Sequence, residues 1–322
     1  MSKIIRDLVL ETGISASTLQ VIINSAPESY KVFSIPKKTG GTRIIAQPSK
    51  QLKIIQRALI EVLLHDFPIH EAAKAYVKGS SIRVNADQHA GSQPIQKYDF
   101  SDFFPSITSS DWRKYCDHNQ VNLSTADLHL CTKILFRRAH GERTLRLSIG
   151  APTSPILSNI LMFDFDKKIS EKLAGDEVKY TRYADDLTFS APKTGYLNAV
   201  PRALRECIQE IQFPTLKLNA KKTAKITAKH RRIVTGLTLA NDGRVTIGRD
   251  KKRLIRSKVH KFKLGQLDRL ALDKLTGELA YINAVEPEYI SVLKRVYGDE
   301  CISKITRNKP LRKYTPPSRN GS

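Results

Sequence analysis

The feature that most limits the fold of this chain is a pair of adjacent acids, Asp185 and Asp186, between two segments that favour β-strand. Residues 178–183 lead into the pair and residues 187–190 follow it, and both segments are rich in β-branched and aromatic side chains. The pair is therefore predicted at the turn of a hairpin. Adjacent ionised carboxylates repel each other and are costly to bury unless a cation neutralises them. The pattern indicates either a solvated turn or a cation site.

A third acid, Asp99, lies in another predicted strand, residues 95–100, next to the aromatic residues Phe100, Phe103 and Phe104. A solvated surface acid does not ordinarily have such neighbours. On neighbouring strands the three carboxylates would come together. Such oxygen-rich clusters hold Mg²⁺, which takes one or two carboxylates together with waters and substrate phosphates. Two such ions can activate an attacking hydroxyl and stabilise a leaving pyrophosphate.

The net charge indicates a polyanionic partner. The chain has 54 Lys and Arg residues against 31 Asp and Glu, a formal net charge of +23. The excess is clustered, with seven basic residues and no acid in residues 217–232, and eight basic residues and one acid in residues 249–263. A basic surface without a ligand would not explain this clustering, so nucleic acid is the expected partner.

The length of 322 residues predicts one large domain or two to three packed subdomains. No apolar run approaches the roughly 18 residues of a membrane span, and the N-terminus lacks an export-signal core. The four cysteines form no CxxC pair, which argues against a zinc site or a disulfide framework. We expect a protein of a reducing cytoplasm with no membrane partner.

The periodicity predicts an α+β fold with a helical, basic C-terminal part from about residue 250 and a loose tail over residues 309–322. Two helices broken at Gly13, with Ser15 or Ser17 as N-cap, are expected in residues 4–26. A strand hairpin is expected in residues 31–47. Further strands are predicted at 95–100, 178–183, 187–190 and 233–239, and further helices at 51–65, 124–137, 154–173 and 198–211.

Five motifs in order across residues 99–239 resemble those of reverse transcriptases. They are Asp99 with Phe103-Phe104, residues 150–155 (GAPTSP), residues 183–186 (YADD), residues 218–223 (LNAKKT) and residues 234–237 (VTGL). The resemblance implies a right-hand polymerase fold. Residues 1–90 would hold the N-terminal helices and fingers, residues 91–240 the palm with interleaved fingers segments, and residues 241–322 a helical basic thumb and C-terminal tail.

The resemblance also implies the metal site of an RNA-directed DNA polymerase. Asp99, Asp185 and Asp186 match the family's catalytic, metal-binding carboxylates, and the backbone of Phe100 is expected to join them. The implied cofactor is Mg²⁺, as two ions, with Mn²⁺ as a possible substitute.

The implied nucleotide contacts surround that site. Phe104 matches the aromatic gate that excludes a 2′-OH, although a core phenylalanine is the alternative. Gly150 and Ala151 match a loop that approaches the deoxynucleoside triphosphate. Lys222 matches a lysine near the triphosphate, with a generic RNA-backbone contact as the alternative. Arg43, with Lys38 assisting, matches the fingers cations that hold it. The family's usual Pro-Gln before Gly-Ala-Pro is replaced here by Ser148-Ile149, which puts one expected nucleotide contact in doubt.

Two further segments resemble retron reverse transcriptases: residues 85–89, of the form Asn-Ala-x-x-His, and Val234-Thr235-Gly236. Asn85, His89 and the latter three residues are therefore expected to contact nucleic acid, with a structural role as the alternative for His89. Retron enzymes, as the resemblance implies, are bacterial and bind a cognate structured noncoding RNA of the msr/msd type. They prime DNA synthesis from a guanosine 2′-OH, keep the branched RNA–DNA product, and act with an effector protein in anti-phage defence.

The basic helix after residue 248 is expected to contact RNA, and its alternative is a solvated helix face. Tyr281 and Tyr289 are expected to stack on unpaired bases. Two other functions remain open, a free-standing reverse transcriptase related to group II introns and an RNA-binding scaffold with an inactive palm. The expected RNA contacts of the helix are Lys251, Lys252, Arg253, Arg256 and Lys258.

Overall fold

The computed structural model describes residues 2–37, 40–92, 94–227 and 230–308. The chain divides into two compact units, Met1–His230 and Arg231–Ser322. The three-part division into residues 1–90, 91–240 and 241–322 stays a prediction. Lys38 and the tail over residues 309–322 lie outside the described residues.

The first unit combines helices with an antiparallel sheet. Its elements are α1 (Lys3–Thr12), α2 (Ala16–Asn24), β1 (Tyr30–Pro36), β2 (Thr42–Pro48), α3 (Lys50–Val62), α4 (Ile82–Asp87), β3 (Ile95–Asp99), α5 (Phe103–Ser106), α6 (Ser109–His118), α7 (Thr125–Leu135), β4 (Arg137–Arg138), β5 (Leu145–Arg146), α8 (Thr153–Leu161), α9 (Phe163–Lys172), β6 (Lys179–Tyr183), β7 (Asp186–Ser190), α10 (Val200–Glu210) and β8 (Ala224–Ile226).

The N-terminal helices form as predicted. Gly13 ends α1 with φ +68°, a left-handed conformation that glycine adopts without a steric penalty, and its N–H donates to the Val9 carbonyl. The Ser15 side chain caps α2 by accepting from the Thr18 N–H. The predicted hairpin is also confirmed, because β1 and β2 pair antiparallel from Tyr30–Pro48 to Pro36–Thr42.

The central sheet has the strand order β6-β7-β3-β8, and its registered pairs are antiparallel. Both predicted strands around the acidic pair are present, so the hairpin prediction is confirmed. Helices pack around this sheet through a continuous hydrophobic core, which includes Phe100, Trp112, Phe165 and Phe189. The prediction of one helix over residues 154–173 was wrong. α8 and α9 are separate helices because the chain leaves helical geometry at Met162, which has φ −91° and ψ 1°.

The second unit is a small sheet followed by helices. The predicted strand over residues 233–239 is two strands joined by a tight turn at Thr235-Gly236, where φ is +45° and +82°. Positive φ at both turn residues suits the twist of a two-residue hairpin. Its elements are β9 (Arg232–Val234), β10 (Leu237–Leu239), β11 (Val245–Thr246), α11 (Arg249–Lys263), α12 (Arg269–Val285), α13 (Pro287–Tyr297) and α14 (Asp299–Thr306).

Among the helices of the described segments, none combines the length and apolar character that crossing a membrane requires.

Candidate active site

The strand register brings the three predicted carboxylates to one end of the sheet. Asp99, the last residue of β3, is the cross-strand partner of Asp186, the first residue of β7. Asp185 lies in the two-residue turn between β6 and β7, where Tyr183 pairs with Asp186. The other turn residue, Ala184, has φ +58°, a conformation that favours glycine and that persists at functional sites when the surroundings hold it.

Asp99 combines burial with an unsatisfied oxygen. The residue is 4% exposed, and its Oδ1 has no hydrogen-bond partner. Its Oδ2 accepts a hydrogen bond from Lys222 Nζ at 2.7 Å. A buried carboxylate oxygen without a hydrogen-bond partner is costly, so this atom favours a cation beside it.

The two adjacent acids of the β6–β7 hairpin, Asp185 and Asp186, have raised affinities for protons. Burial and the negative charge of Asp99 raise the pKa of Asp185 above its ordinary value. Burial raises the pKa of Asp186 to about 6, with Lys97 opposing the rise and the charges of Asp185 and Asp99 adding to it. Burial and neighbouring negative charge thus disfavour the ionised forms of Asp185 and Asp186, and a divalent cation would offset this.

The residues present fit a divalent cation. The orphaned Asp99 Oδ1 and the neighbouring acids supply hard oxygen ligands. The Phe100 carbonyl is also expected to join them. Phe100 forms an isolated β-bridge with Leu218, in which the Ser101 N–H donates to the Lys217 carbonyl and the Asn219 N–H donates to the Asp99 carbonyl. The Phe100 carbonyl takes no part in these two hydrogen bonds. In the described part of the chain no three His, Cys, Asp or Glu side chains form a ready-made metal cluster. Mg²⁺ needs fewer, because waters and substrate phosphates complete its coordination.

A buried ion pair supports the β6–β7 hairpin that carries Asp185 and Asp186. Arg182 and Asp166 are fully buried and form a bidentate salt bridge. Arg182 Nη2 lies 2.6 Å from Asp166 Oδ2, and Arg182 Nε lies 2.9 Å from Asp166 Oδ1. Arg182 Nη1 also donates to the Ala184 carbonyl at 3.2 Å and to Asn159 Oδ1 at 3.0 Å. Planar guanidinium geometry makes such pairs directional, so the turn that carries Asp185 is held in place.

The predicted nucleotide contacts lie in the same unit. Arg43 is exposed on β2. Its positive charge partly opposes the rise in the pKa of Asp185. Phe104 is half-buried, 5.4 Å from the Phe103 ring and 6.4 Å from the Tyr76 ring between centroids. Phe104 packs against the hydrophobic core from this half-buried position, and its role as the sugar gate stays a prediction.

Gly150 has a packing reason for being glycine. Its φ is +125°, and a Cβ there would lie 2.9 Å from the Ala46 carbonyl oxygen of β2. The neighbouring Ile149 carbonyl accepts the Ala46 N–H at 2.9 Å. Ala151 is buried beside it. The close approach in this structure is therefore between the loop that contains Gly150 and the β1–β2 hairpin. The buried Ser148 and the half-buried Ile149 occupy the positions of the family's usual Pro-Gln.

Asn85 and His89 lie inside the protein, so the expectation that they contact RNA is revised. Asn85 is 1% exposed and His89 is 0% exposed. The His89 ring is bonded to Ser190 Oγ at 2.7 Å and to Thr181 Oγ1 at 2.8 Å. Burial lowers the pKa of His89 to about 3, with the charges of nearby lysines adding to the effect. A neutral imidazole bridging β6 and β7 is a structural group, the alternative left open by the sequence.

In the second unit, Val234 is buried and forms the end of β9, while Thr235 and Gly236 form the turn. The retron-like Val-Thr-Gly segment thus has a local structural role as a tight hairpin. Its predicted contact with nucleic acid stays a prediction for Thr235 and Gly236, and burial excludes a direct contact for the Val234 side chain.

The basic helix α11 divides into engaged and exposed cations. Lys252 Nζ is paired with Glu286 and lies 4.8 Å from the centroid of Tyr289. Lys258 Nζ is 2.6 Å from Glu278 Oε1. Both lysines thus have acidic partners within the second unit, and their predicted contact with RNA stays a prediction.

Arg253, Arg256 and Lys251 are the exposed members of the predicted set, with Lys251 Nζ 5.4 Å from the centroid of Tyr281. Tyr289 is 4% exposed and its hydroxyl donates to the Lys252 carbonyl, so its predicted stacking on bases is wrong.

Sequence reasoning missed four residues around the acids. Three of them, Asn159, Asp166 and Arg182, are polar side chains in segments that looked like ordinary core helix and strand. The period of two that places Arg182 on the same face as Tyr180 was an available signal, because both bond to Asp166. The fourth, Tyr76, lies in a loop without a recognisable pattern.

Comparisons with known proteins show the family of the chain. The family described as reverse transcriptase (RNA-dependent DNA polymerase) matches residues 35–253. The Escherichia coli protein named Retron Ec83 reverse transcriptase is 37% identical over 290 residues, covering 89% of this chain and 93% of that protein. Retron Ec73 reverse transcriptase, also from Escherichia coli, is 35% identical over 286 residues, covering 85% and 89%. Among solved structures, telomerase from Candida albicans is similar with 13% identity and a TM-score of 0.49, covering 87% of this chain and 61% of that chain.

The match to the reverse transcriptase family and to the retron enzymes gives the chain a right-hand polymerase fold and RNA-directed DNA polymerase activity. The chain is matched over most of its length by proteins named as retron reverse transcriptases, and three carboxylates lie together at the end of its central sheet. It belongs to the reverse transcriptase family, among the retron-type bacterial members.

Proposed function

We propose that this reverse transcriptase copies part of a cognate noncoding RNA of the msr/msd type into DNA, starting from a guanosine 2′-OH in that RNA. The product would be a branched RNA–DNA molecule that stays bound. The observation that carries the proposal is the cross-strand pairing of Asp99 with Asp186, beside Asp185, in a chain similar to proteins named as retron enzymes.

The acids would hold the cofactor of the reaction. Asp99 and Asp185 would be the principal ligands, and Asp186 and the Phe100 carbonyl would complete the protein side of the site. Two Mg²⁺ ions bound there, or Mn²⁺ in their place, would supply charge that lowers the pKa of the attacking hydroxyl and stabilises the leaving pyrophosphate.

The surrounding residues would orient the nucleotide. The primer hydroxyl oxygen attacks the α-phosphorus in line, the bond to the pyrophosphate breaks, and the hydroxyl proton leaves to solvent. Lys222 and Arg43 would neutralise phosphate charge that develops in this step. The Phe104 ring would exclude a 2′-OH on the incoming sugar. No side chain of the site need act as a nucleophile.

The partners of the reaction extend the proposal. Exposed Arg253 and Arg256 of the second unit are the proposed contacts with RNA phosphates. The branched product would act together with an effector protein in anti-phage defence. Support for this last step is the resemblance to retron enzymes alone.

The proposal is tested by expressing the gene with its flanking DNA in bacteria and purifying the protein with its bound nucleic acid. Separate digestion with RNase and DNase reveals whether RNA and DNA are covalently joined. We expect one discrete branched species that is absent in the Asp185→Asn variant. Heterogeneous RNA without DNA, from protein that is active on supplied primer–template, would instead favour a free-standing enzyme of the group II intron type. Equal incorporation by wild type and Asp185→Asn would overturn the proposed site.

A further inference from the structure

Tyr76 lies next to the proposed nucleotide site. Its ring centroid is 6.4 Å from that of Phe104, and the two ring planes are inclined by 54°. This separation is within the range of interacting aromatic pairs. Tyr76 is nevertheless 52% exposed. The two rings therefore form an open corner, with one aromatic face on each side.

The backbone at Tyr76 is held in an unfavourable conformation. Its φ is +62°, in the left-handed region that bulky residues rarely adopt. Such outliers persist where the surroundings determine them, and they concentrate at ligand clamps and active sites. In an exposed loop, a glycine or asparagine would adopt this conformation at lower cost. A tyrosine here indicates that the ring itself has a use.

The loop that carries Tyr76 is bonded to the strand that carries the catalytic turn. The Lys74 N–H donates to the Arg182 carbonyl at 2.8 Å, and the Arg182 N–H donates to the Ala72 carbonyl at 2.8 Å. Directly before Tyr76, the Ala75 carbonyl accepts from Asn159 Nδ2 at 2.8 Å. Asn159 in turn accepts from the buried Arg182 guanidinium, which also bonds to the Ala184 carbonyl. One buried network thus positions both Tyr76 and the catalytic turn.

The electrostatic environment of Tyr76 includes groups of the proposed site. Burial raises the pKa of Tyr76, the negative charge of Asp185 and the neighbouring Tyr183 raise it further, and Arg43 lowers it. The hydroxyl therefore stays protonated at neutral pH. It is close enough to respond both to a proposed metal ligand and to the proposed triphosphate contact.

We propose that Tyr76 is a specificity-determining residue that forms the second aromatic wall of the sugar pocket and, with Phe104, selects deoxynucleotides over ribonucleotides. The inference rests on the proposed nucleotide site. A gate excludes a 2′-OH only when its ring cannot tilt away, and the adjoining Tyr76 ring blocks that movement. Tyr76 also confines the sugar from the other side of the corner, so a displaced ribose gains no room.

The test is steady-state incorporation of dCTP and of CTP by the purified enzyme on one defined primer–template. We expect Tyr76→Ala to lower the ratio of kcat/KM values, dCTP over CTP, by roughly tenfold or more, the scale of one steric contact in a pocket. The change should come mainly from better use of CTP. Tyr76→Phe keeps the ring and should keep the ratio within about twofold of wild type.

Matched variants separate this inference from the site on which it depends. Tyr196→Ala removes another half-exposed tyrosine and should leave the ratio unchanged. Tyr76→Leu, with thermal melting of every variant, covers the case in which Tyr76→Ala does not fold. If Phe104→Ala lowers the ratio and neither Tyr76→Ala nor Tyr76→Leu does, the inference about Tyr76 is overturned and the nucleotide site stands. If Phe104→Ala also leaves the ratio unchanged, the proposed nucleotide site is overturned with it.

Discussion

Lys222 Nζ lies 2.7 Å from Asp99 Oδ2, so the proposed triphosphate contact is bonded to a proposed metal ligand. Burial lowers the pKa of Lys222, but its hydrogen bond to Asp99 and the charges of all three acids raise it overall. The ammonium group is therefore always charged at neutral pH. It can serve either Asp99 or a phosphate group, and metal binding at Asp99 would release it towards the nucleotide.

Replacing Lys222 with Met should separate these two roles. We expect kcat/KM for deoxynucleotides to fall by about 100-fold, the typical loss when one preorganised charged group is removed. The Mg²⁺ concentration at half-maximal rate should not rise, because Asp99 loses a competitor for the ion. Both quantities come from Mg²⁺ titrations of single-nucleotide incorporation. Lys221→Met, at the exposed neighbouring lysine, is the control. A clear rise in the half-maximal Mg²⁺ concentration would show that Lys222 helps to hold the metal site together.

The raised pKa of Asp186 predicts a pH-dependent stability in metal-free buffer. Its pKa in the folded protein is about 6, against an ordinary value of 3.8. The folded state therefore holds this proton more tightly than the unfolded state, and stability is lost as pH rises from about 4 through 6. The loss is at most about 3 kcal/mol, since one pKa unit corresponds to about 1.4 kcal/mol.

Urea unfolding in EDTA between pH 4 and pH 8 measures this loss. Asp186→Asn should be more stable than wild type above pH 6, and the difference should shrink towards pH 4. Lys97, Asp185 and Asp99 act on the same carboxyl and remain in the variant. A difference that does not change with pH would contradict the assignment.

His89 predicts the opposite pH dependence. Its pKa is lowered from 6.5 to about 3, so the unfolded chain binds this proton below pH 6.5 and the folded protein does not. The stability is fully present above pH 6.5 and falls by up to about 1.4 kcal/mol per pH unit as the pH decreases towards 3. The free energy of unfolding at pH 7 and pH 5 measures this slope.

His89→Gln should be less stable at pH 7, because it disturbs the bonds to Thr181 and Ser190, but it should lose less stability on acidification. His129→Gln, at an exposed histidine, should keep the wild-type slope. If His89→Gln loses as much stability as wild type between pH 7 and pH 5, His89 is not the buried neutral group described above.

Substitutions of the exposed arginines and of the paired lysines on α11 should have different effects. Arg253→Ala with Arg256→Ala should weaken RNA binding and reduce the slope of log affinity against log salt by about 2, about one for each arginine that no longer neutralises a phosphate. Lys252→Ala with Lys258→Ala should mainly lower the melting temperature, because Glu286 and Glu278 lose their partners. Filter binding at several salt concentrations, with thermal melting, separates them. A larger salt effect from the lysine pair would contradict this division.

The clustering of the three acids was predictable because it depends on strand order and alternation. Strand-forming segments around Asp99 and the Asp185–Asp186 pair were enough to expect neighbouring strands, and the register between β3 and β7 confirms it. Sequence order and residue type carry this information locally. Caps such as Ser15 are predictable for the same reason.

Other features depend on long-range partners and were not predictable. Lys252 looks like a free cation until Glu286, 34 positions later, is placed beside it. His89 and Asn85 look like polar contacts until their burial is known. Thr235-Gly236 was hidden within an apparently continuous strand, because a β-branched residue at positive φ is rare. The sequence gives no sign that Tyr76 lies near the site, because its contact with the Phe104 ring is visible only in the folded structure.

The contact between Gly150 and Ala46 has a consequence for exchanging parts between related enzymes. A hairpin grafted in place of residues 30–48 would bring foreign backbone against a glycine that leaves no room for even one methyl group. It would also have to reproduce the bond from the Ala46 N–H to the Ile149 carbonyl. The hairpin and the loop of Ile149 and Gly150 before α8 should therefore be exchanged together. A chimera that takes both from the same parent should fold better than one that combines them from two parents.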